Sequence, residues 1–138
     1  MIVQHLTELT VTGILNRGEP NRECIALKVK QRVNLGQFGL MLGRYTNQDN
    51  ALPYFDNLFW FGDGFVEPGD WLFIYTGSGQ ASKTRSADGA YDIFCLFWGK
   101  PTTLFAETSI TPVLFRVDAV NFLRSPDNVP QTPMPQIK

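Results

Sequence analysis

The residues equipped for chemistry are few and poorly grouped. His5 is the only histidine, so a Ser/His/Asp or Cys/His arrangement would have to use it. Neither Gly-x-Ser-x-Gly nor Cys-Gly-x-Cys accompanies it. The two cysteines, Cys24 and Cys95, lie 71 positions apart, which is neither a disulfide framework nor a metal-binding spacing. Each suits a strand as a small hydrophobe. Gly77, four residues on from which comes Ser82-Lys83-Thr84, resembles a phosphate cradle but lacks the second glycine.

Carboxylates offer slightly more. Asp56, Asp63 and Asp70 surround one strand and its turn, while Asp88 and Asp92 flank another. A glycosidase-type pair must stand roughly 5–10 Å apart, and a hard cation needs several oxygens at once. Asp63 between Gly62 and Gly64 suits a tight turn, and Asp70 after Pro68-Gly69 suits the start of a strand. A small acid–base hydrolase using Asp56, Asp63 and Asp70 is the second alternative; no metal or cofactor is expected. Basic residues form two modest groups, Lys28/Lys30/Arg32 and Lys83/Arg85. Cations at alternate positions share a strand face and could meet phosphates or an acidic partner, or simply guard an edge. With Phe38, Tyr45 and Trp60 interleaved, these five cations make a nucleic-acid-binding module the first alternative.

The elements that position these side chains read as strands. No window of three turns keeps a helical apolar period. Strand patterns recur at His5–Leu15, Glu23–Lys30, Val33–Leu35, Phe38–Leu42, Asn57–Phe61, Asp70–Tyr75, Tyr91–Trp98 and Pro112–Val120, separated by Gly, Pro, Asn and Asp. In the second, Ile25, Leu27 and Val29 face one way and Lys28 and Lys30 the other, as in a strand with one wet face. Tyr45–Pro53 and Gln80–Gly89 read as loops, the latter mobile. Several strands are apolar on nearly every residue, as in Leu58–Phe61 and Ile93–Trp98. Such runs suit burial on both faces or an outer face that meets another molecule.

Composition sets the bounds. The chain has 138 residues, 43% hydrophobic, 13% aromatic and 18% charged, with net charge −1. One domain is the natural reading of that length. Near-neutral charge disfavours a bulk nucleic-acid binder. No run of 18 apolar residues and no basic-then-apolar leader is visible, so a cytoplasmic location is favoured. Residues 1–124 read as one domain and 125–138, with Pro126, Pro130, Pro133 and Pro135, as an extended tail.

The order of motifs resembles the lamin tail domain family, an immunoglobulin-like β-sandwich. Glu23-Cys-Ile-Ala-Leu27 is similar to that family's second strand, and Val33-Asn-Leu-Gly-Gln-Phe-Gly-Leu40 to its Val-Asp/Asn-Leu-Ser-Gly-Trp-x-Leu segment. Phe59-Trp-Phe61, Gly62-Asp-Gly64, Pro68-Gly69, Tyr75-Thr-Gly-Ser-Gly79 and Leu96-Phe-Trp-Gly99 follow in the family's order. Lys100 to Ile110 replaces the Trp-Asn-Asn…Gly-Asp signature, and no heptad rod precedes the domain. The resemblance implies an all-β, two-sheet, immunoglobulin-like sandwich of about seven to nine mostly antiparallel strands. It also implies a non-catalytic binding or structural interaction module with no catalytic residues to carry over. A protein partner is expected, with Lys28, Lys30, Arg32, Lys83 and Arg85 as its candidate contacts. Self-association through exposed aromatic strands is a further option.

Overall fold

The computed structural model describes residues 5–47 and 50–123. Among them the chain is all-β, with ten strands and a single 3-10 turn at Leu35–Gln37. In chain order the strands are β1 (Leu9–Leu15), β2 (Cys24–Val29), β3 (Val33–Asn34), β4 (Phe38–Asn47), β5 (Asn50–Trp60), β6 (Phe65–Val66), β7 (Trp71–Tyr75), β8 (Ser82–Arg85), β9 (Asp92–Phe97) and β10 (Ile110–Arg116). They form a five-stranded sheet in the order β1-β2-β7-β9-β8, a three-stranded sheet β10-β4-β5, and a small β3-β6 pair. All pairings are antiparallel except β7 with β9. No helix among the described residues is long and apolar enough to cross a membrane.

The core lies between the two larger sheets because their alternating aliphatic positions point at one another. Ile25, Leu27 and Val29 on β2 and Leu72 and Ile74 on β7 meet Phe38, Leu40 and Leu42 on β4. Phe61, Trp98, Phe105 and Ile110 close the cluster. Each fully buried aliphatic or aromatic side chain of this kind contributes about 1.5–3 kcal/mol. Phe59 packs on Trp98 with ring centroids 5.6 Å apart.

Two expected loops are strands. β4 runs on to Asn47 and β5 starts at Asn50, so much of the polar stretch from Tyr45 to Pro53 is a hairpin. Tyr45 and Leu52 are exposed there, so no buried face imposes an apolar alternation. Within Gln80–Gly89, β8 pairs along β9 although all four of its residues are exposed. Backbone pairing, not burial, makes it a strand. At other ends the expected strands shorten: the first begins at Leu9 and the last stops at Arg116. The expected count of seven to nine becomes ten because β8 and the two-residue β6 join the eight strand patterns read from the chain, among which β3 keeps two residues of Val33–Leu35. Positions 124–138, which include the expected Pro-rich tail and the domain boundary before it, lie outside the described residues.

Asp70 explains how β9 is held parallel to β7. Its buried carboxylate accepts the Glu67 N–H at 2.9 Å and the Asp92 N–H at 2.9 Å. One side chain at the start of β7 thus grips the start of β9 and fixes their register.

Candidate binding face

With Ile25, Leu27 and Val29 of β2, Leu72 and Ile74 of β7, and Phe94 and Leu96 of β9 turned inward, the alternate residues form the outer face of the five-stranded sheet. Register places them in three cross-strand rows: Lys28–Trp71–Ile93, Ala26–Phe73–Cys95 and Cys24–Tyr75–Phe97. The rings pair along and across these rows. Trp71 and Phe73 lie 6.1 Å apart at 18°, and Tyr75 and Phe97 lie 5.2 Å apart at 16°. Beside such large neighbours the small Cys24 and Ala26 are buried even though they face outward, so this side of β2 is wet only at Lys28. Burial pushes the Cys24 thiol up to about 12, with the Cys95 thiol adding to the effect. Burial likewise raises the Tyr75 phenol.

A groove of about 410 Å³ opens on this face. Ala26, Trp71, Phe73 and Ile93 form its floor, with Thr12 and Leu15 on one side and Tyr91 on the other. Beside two of the lining rings, the Lys28 ammonium stands 4.6 Å from the Trp71 ring centre and 5.5 Å from that of Tyr91. It donates to the Gly69 carbonyl at 3.2 Å. The other outer face, on the three-stranded sheet, is also apolar. Its rows are Gly39–Trp60–Phe115 and Met41–Leu58–Val113, in which Leu58 is 63% and Trp60 53% exposed.

The five cations do not gather. Lys28 sits on β2, but Lys30 and Arg32 lie beyond the strand's end at Val29. Arg32 pairs with Glu67 at 2.8 Å and lies over the Phe65 ring at 4.3 Å. Lys83 and Arg85 share one acid, Asp92, at 3.5 and 3.0 Å. Of the aromatic residues placed with them, Phe38 is wholly buried and cannot stack on a base, while Tyr45 and Trp60 are exposed. The three candidate carboxylates are equally dispersed. Asp70 is committed to two backbone N–H groups, whereas Asp56 and Asp63 are exposed. His5 is exposed ahead of β1. Among the described residues no three His, Cys, Asp or Glu side chains could hold a metal together.

Glu23 is the polar residue whose importance the residue types alone did not reveal. It is fully buried at the start of β2. Its carboxylate accepts the Gly18 N–H at 2.7 Å, the Thr76 hydroxyl at 3.0 Å and the Leu104 N–H at 2.8 Å. The Phe105 N–H lies 3.3 and 3.2 Å from its two oxygens. One acid therefore ties the β1–β2 turn, the end of β7 and the loop before β10. An acid directly before four apolar residues was the available signal. The binding face carried its own signal, since in Trp71-Leu-Phe-Ile-Tyr75 aromatic and aliphatic residues alternate strictly.

Comparison with family models, with curated proteins and with solved structures finds no match to this chain.

Proposed function

We propose that this chain is a non-catalytic binding module that meets a protein partner through the outer face of its five-stranded sheet. The observation that carries the reading is the ring-lined groove at Trp71 and Phe73. An apolar concavity with few polar groups is the ordinary form of a binding site, and contiguous apolar surface marks contact surfaces. The sheet edges favour faces over edge-to-edge pairing. β1 is irregular between Val11 and Gly13, and β8 reads Ser-Lys-Thr-Arg. β5 and β10 carry Pro53 and Pro112. Bulges, charges and prolines are the features that blunt an edge. The lamin-tail resemblance, with its immunoglobulin-like sandwich and contact role, points the same way.

The test compares proteins retained from nuclease-treated host extract by three immobilised baits. These are the wild type, Trp71→Ala/Phe73→Ala, and a Lys30→Glu/Lys83→Glu/Arg85→Glu variant, each first shown to be folded. The expected result is a protein kept by the wild type and the charge variant and lost with the ring variant. Retention that survives loss of both rings, or that is seen only when the nuclease is left out, overturns the reading.

A further inference from the structure

Lys28 gives the groove a polarity that the protein-contact reading alone does not assign. A half-buried ammonium costs desolvation unless something offsets it. Here two rings and one carbonyl do so, and no carboxylate lies within 4.0 Å of it among the described residues. An ammonium has three donors, and the Gly69 carbonyl uses one. The acids flanking β7 and β9 are engaged elsewhere: Asp70 with backbone N–H groups, Asp92 with Lys83 and Arg85. The groove is thus an apolar trough with, beside two of its lining rings, Trp71 and Tyr91, a cation with donors to spare.

The charge selects the occupant. A cationic ligand is disfavoured, because Lys28 already covers the ring faces such a ligand would use. Size selects it further. Five residues at about 3.4 Å and four strand spacings at about 4.8 Å give the sheet face roughly 330 Å² in projection. A standard protein interface takes about 800 Å² from each partner, so the face suits a short segment better than a second copy of the whole chain.

We infer that the groove takes a short apolar segment of a protein partner that carries a carboxylate. The carboxylate seats on the Lys28 ammonium, and a neighbouring apolar side chain lies against Trp71, Phe73 and Ile93. This rests on the protein-contact reading and names the partner chemistry it requires.

The probe is the capped peptide acetyl-Ser-Leu-Phe-Glu-Leu-Ser amide, with its Glu→Gln and Glu→Lys analogues, titrated to millimolar concentration into the full ¹⁵N-labelled chain. The Glu peptide is expected to shift the Trp71 indole and the Tyr91 and Ile93 amides. It should bind about tenfold tighter than the Gln analogue, the gain of one charge-assisted hydrogen bond, and the Lys analogue should bind weakest. Lys28→Met keeps the stem's packing and should level the Glu and Gln peptides without weakening the latter. Trp71→Ala should weaken both. Equal affinity for the Glu and Lys peptides overturns the inference, as does binding to none of them or shifts centred on Leu58 and Trp60. Saturation by decanoate with no peptide binding, or dimerisation through this face, overturns it in favour of an amphiphile or a second copy. A host protein whose retention needs Trp71 and Phe73 but ignores Lys28→Met sinks this inference alone and leaves the contact reading standing.

Discussion

Replacing Glu23 with glutamine exchanges one carboxylate oxygen for an amide nitrogen in a pocket where three backbone N–H groups and the Thr76 hydroxyl all donate to the side chain. If the remaining oxygen stays with the Thr76 hydroxyl and the Leu104 N–H, the new NH₂ group faces the Gly18 N–H that had bonded at 2.7 Å. Turning the amide over strands the Leu104 N–H instead. Either way one charge-assisted hydrogen bond of about 1.5–3 kcal/mol is lost, and a buried donor is left facing another donor at about 1–3 kcal/mol. The expected cost is about 3–5 kcal/mol, a large part of the roughly 5–15 kcal/mol that holds a domain together. For a chain of this length that corresponds to a fall in Tm of roughly 10–15 °C. Thermal melts and urea titrations read the effect, with a lower midpoint at unchanged slope. Glu107→Gln, at an exposed acid, is the control and should stay within about 0.5 kcal/mol of wild type. A Glu23→Gln protein within about 1 kcal/mol of wild type would refute the assignment of Glu23 as the tie between three segments.

Other outcomes follow from single residues. A Cβ on Gly39 would lie 2.6 Å from the Phe59 carbonyl and 2.5 Å from the Phe115 ring, so Gly39→Ala should cost about 1–3 kcal/mol in a urea titration; no loss would show that β4 and β5 can part there. The Cys24 thiol, pushed up to about 12 and buried, should resist iodoacetamide at pH 8 in the native chain. The half-buried Cys95 should be modified first, and mass spectrometry after proteolysis reads both. The Arg116 guanidinium, bonded to Glu8 at 2.6 Å, holds the Glu8 carboxyl below its usual 4.5. A depressed carboxyl adds stability that is present above the unfolded value and lost as pH falls through the folded one. Urea midpoints should therefore fall less steeply below about pH 4.5 in Glu8→Gln than in wild type, and identical slopes would count against the pair.

Much of the sandwich could be read from the chain because its core strands alternate cleanly. Ile25, Leu27 and Val29 declare an inner face, and the structure packs all three inside. The hidden elements lack that signal: β8 is exposed at every residue, so only its backbone partners reveal it. The aromatic runs were ambiguous for a different reason. Phe59, Phe61 and Trp98 pack into or onto the core while Trp60, Trp71 and Phe73 face out, and a strand read alone does not say which side meets solvent. Register settles it by setting Trp71 beside Lys28 and Ile93. Lys28 was legible as a candidate contact. Its cation–π setting was not, since Tyr91 comes to it from a different part of the chain.

Hydroxyl-radical footprinting of the chain with and without its captured partner tests the contact face most directly, because it reads side-chain exposure residue by residue. Trp71, Phe73 and Tyr91 should become protected while Trp60, Leu58 and Tyr45 keep their reactivity. Protection of Trp60 and Leu58 with Trp71 unchanged would place the contact on the opposite sheet and contradict the account.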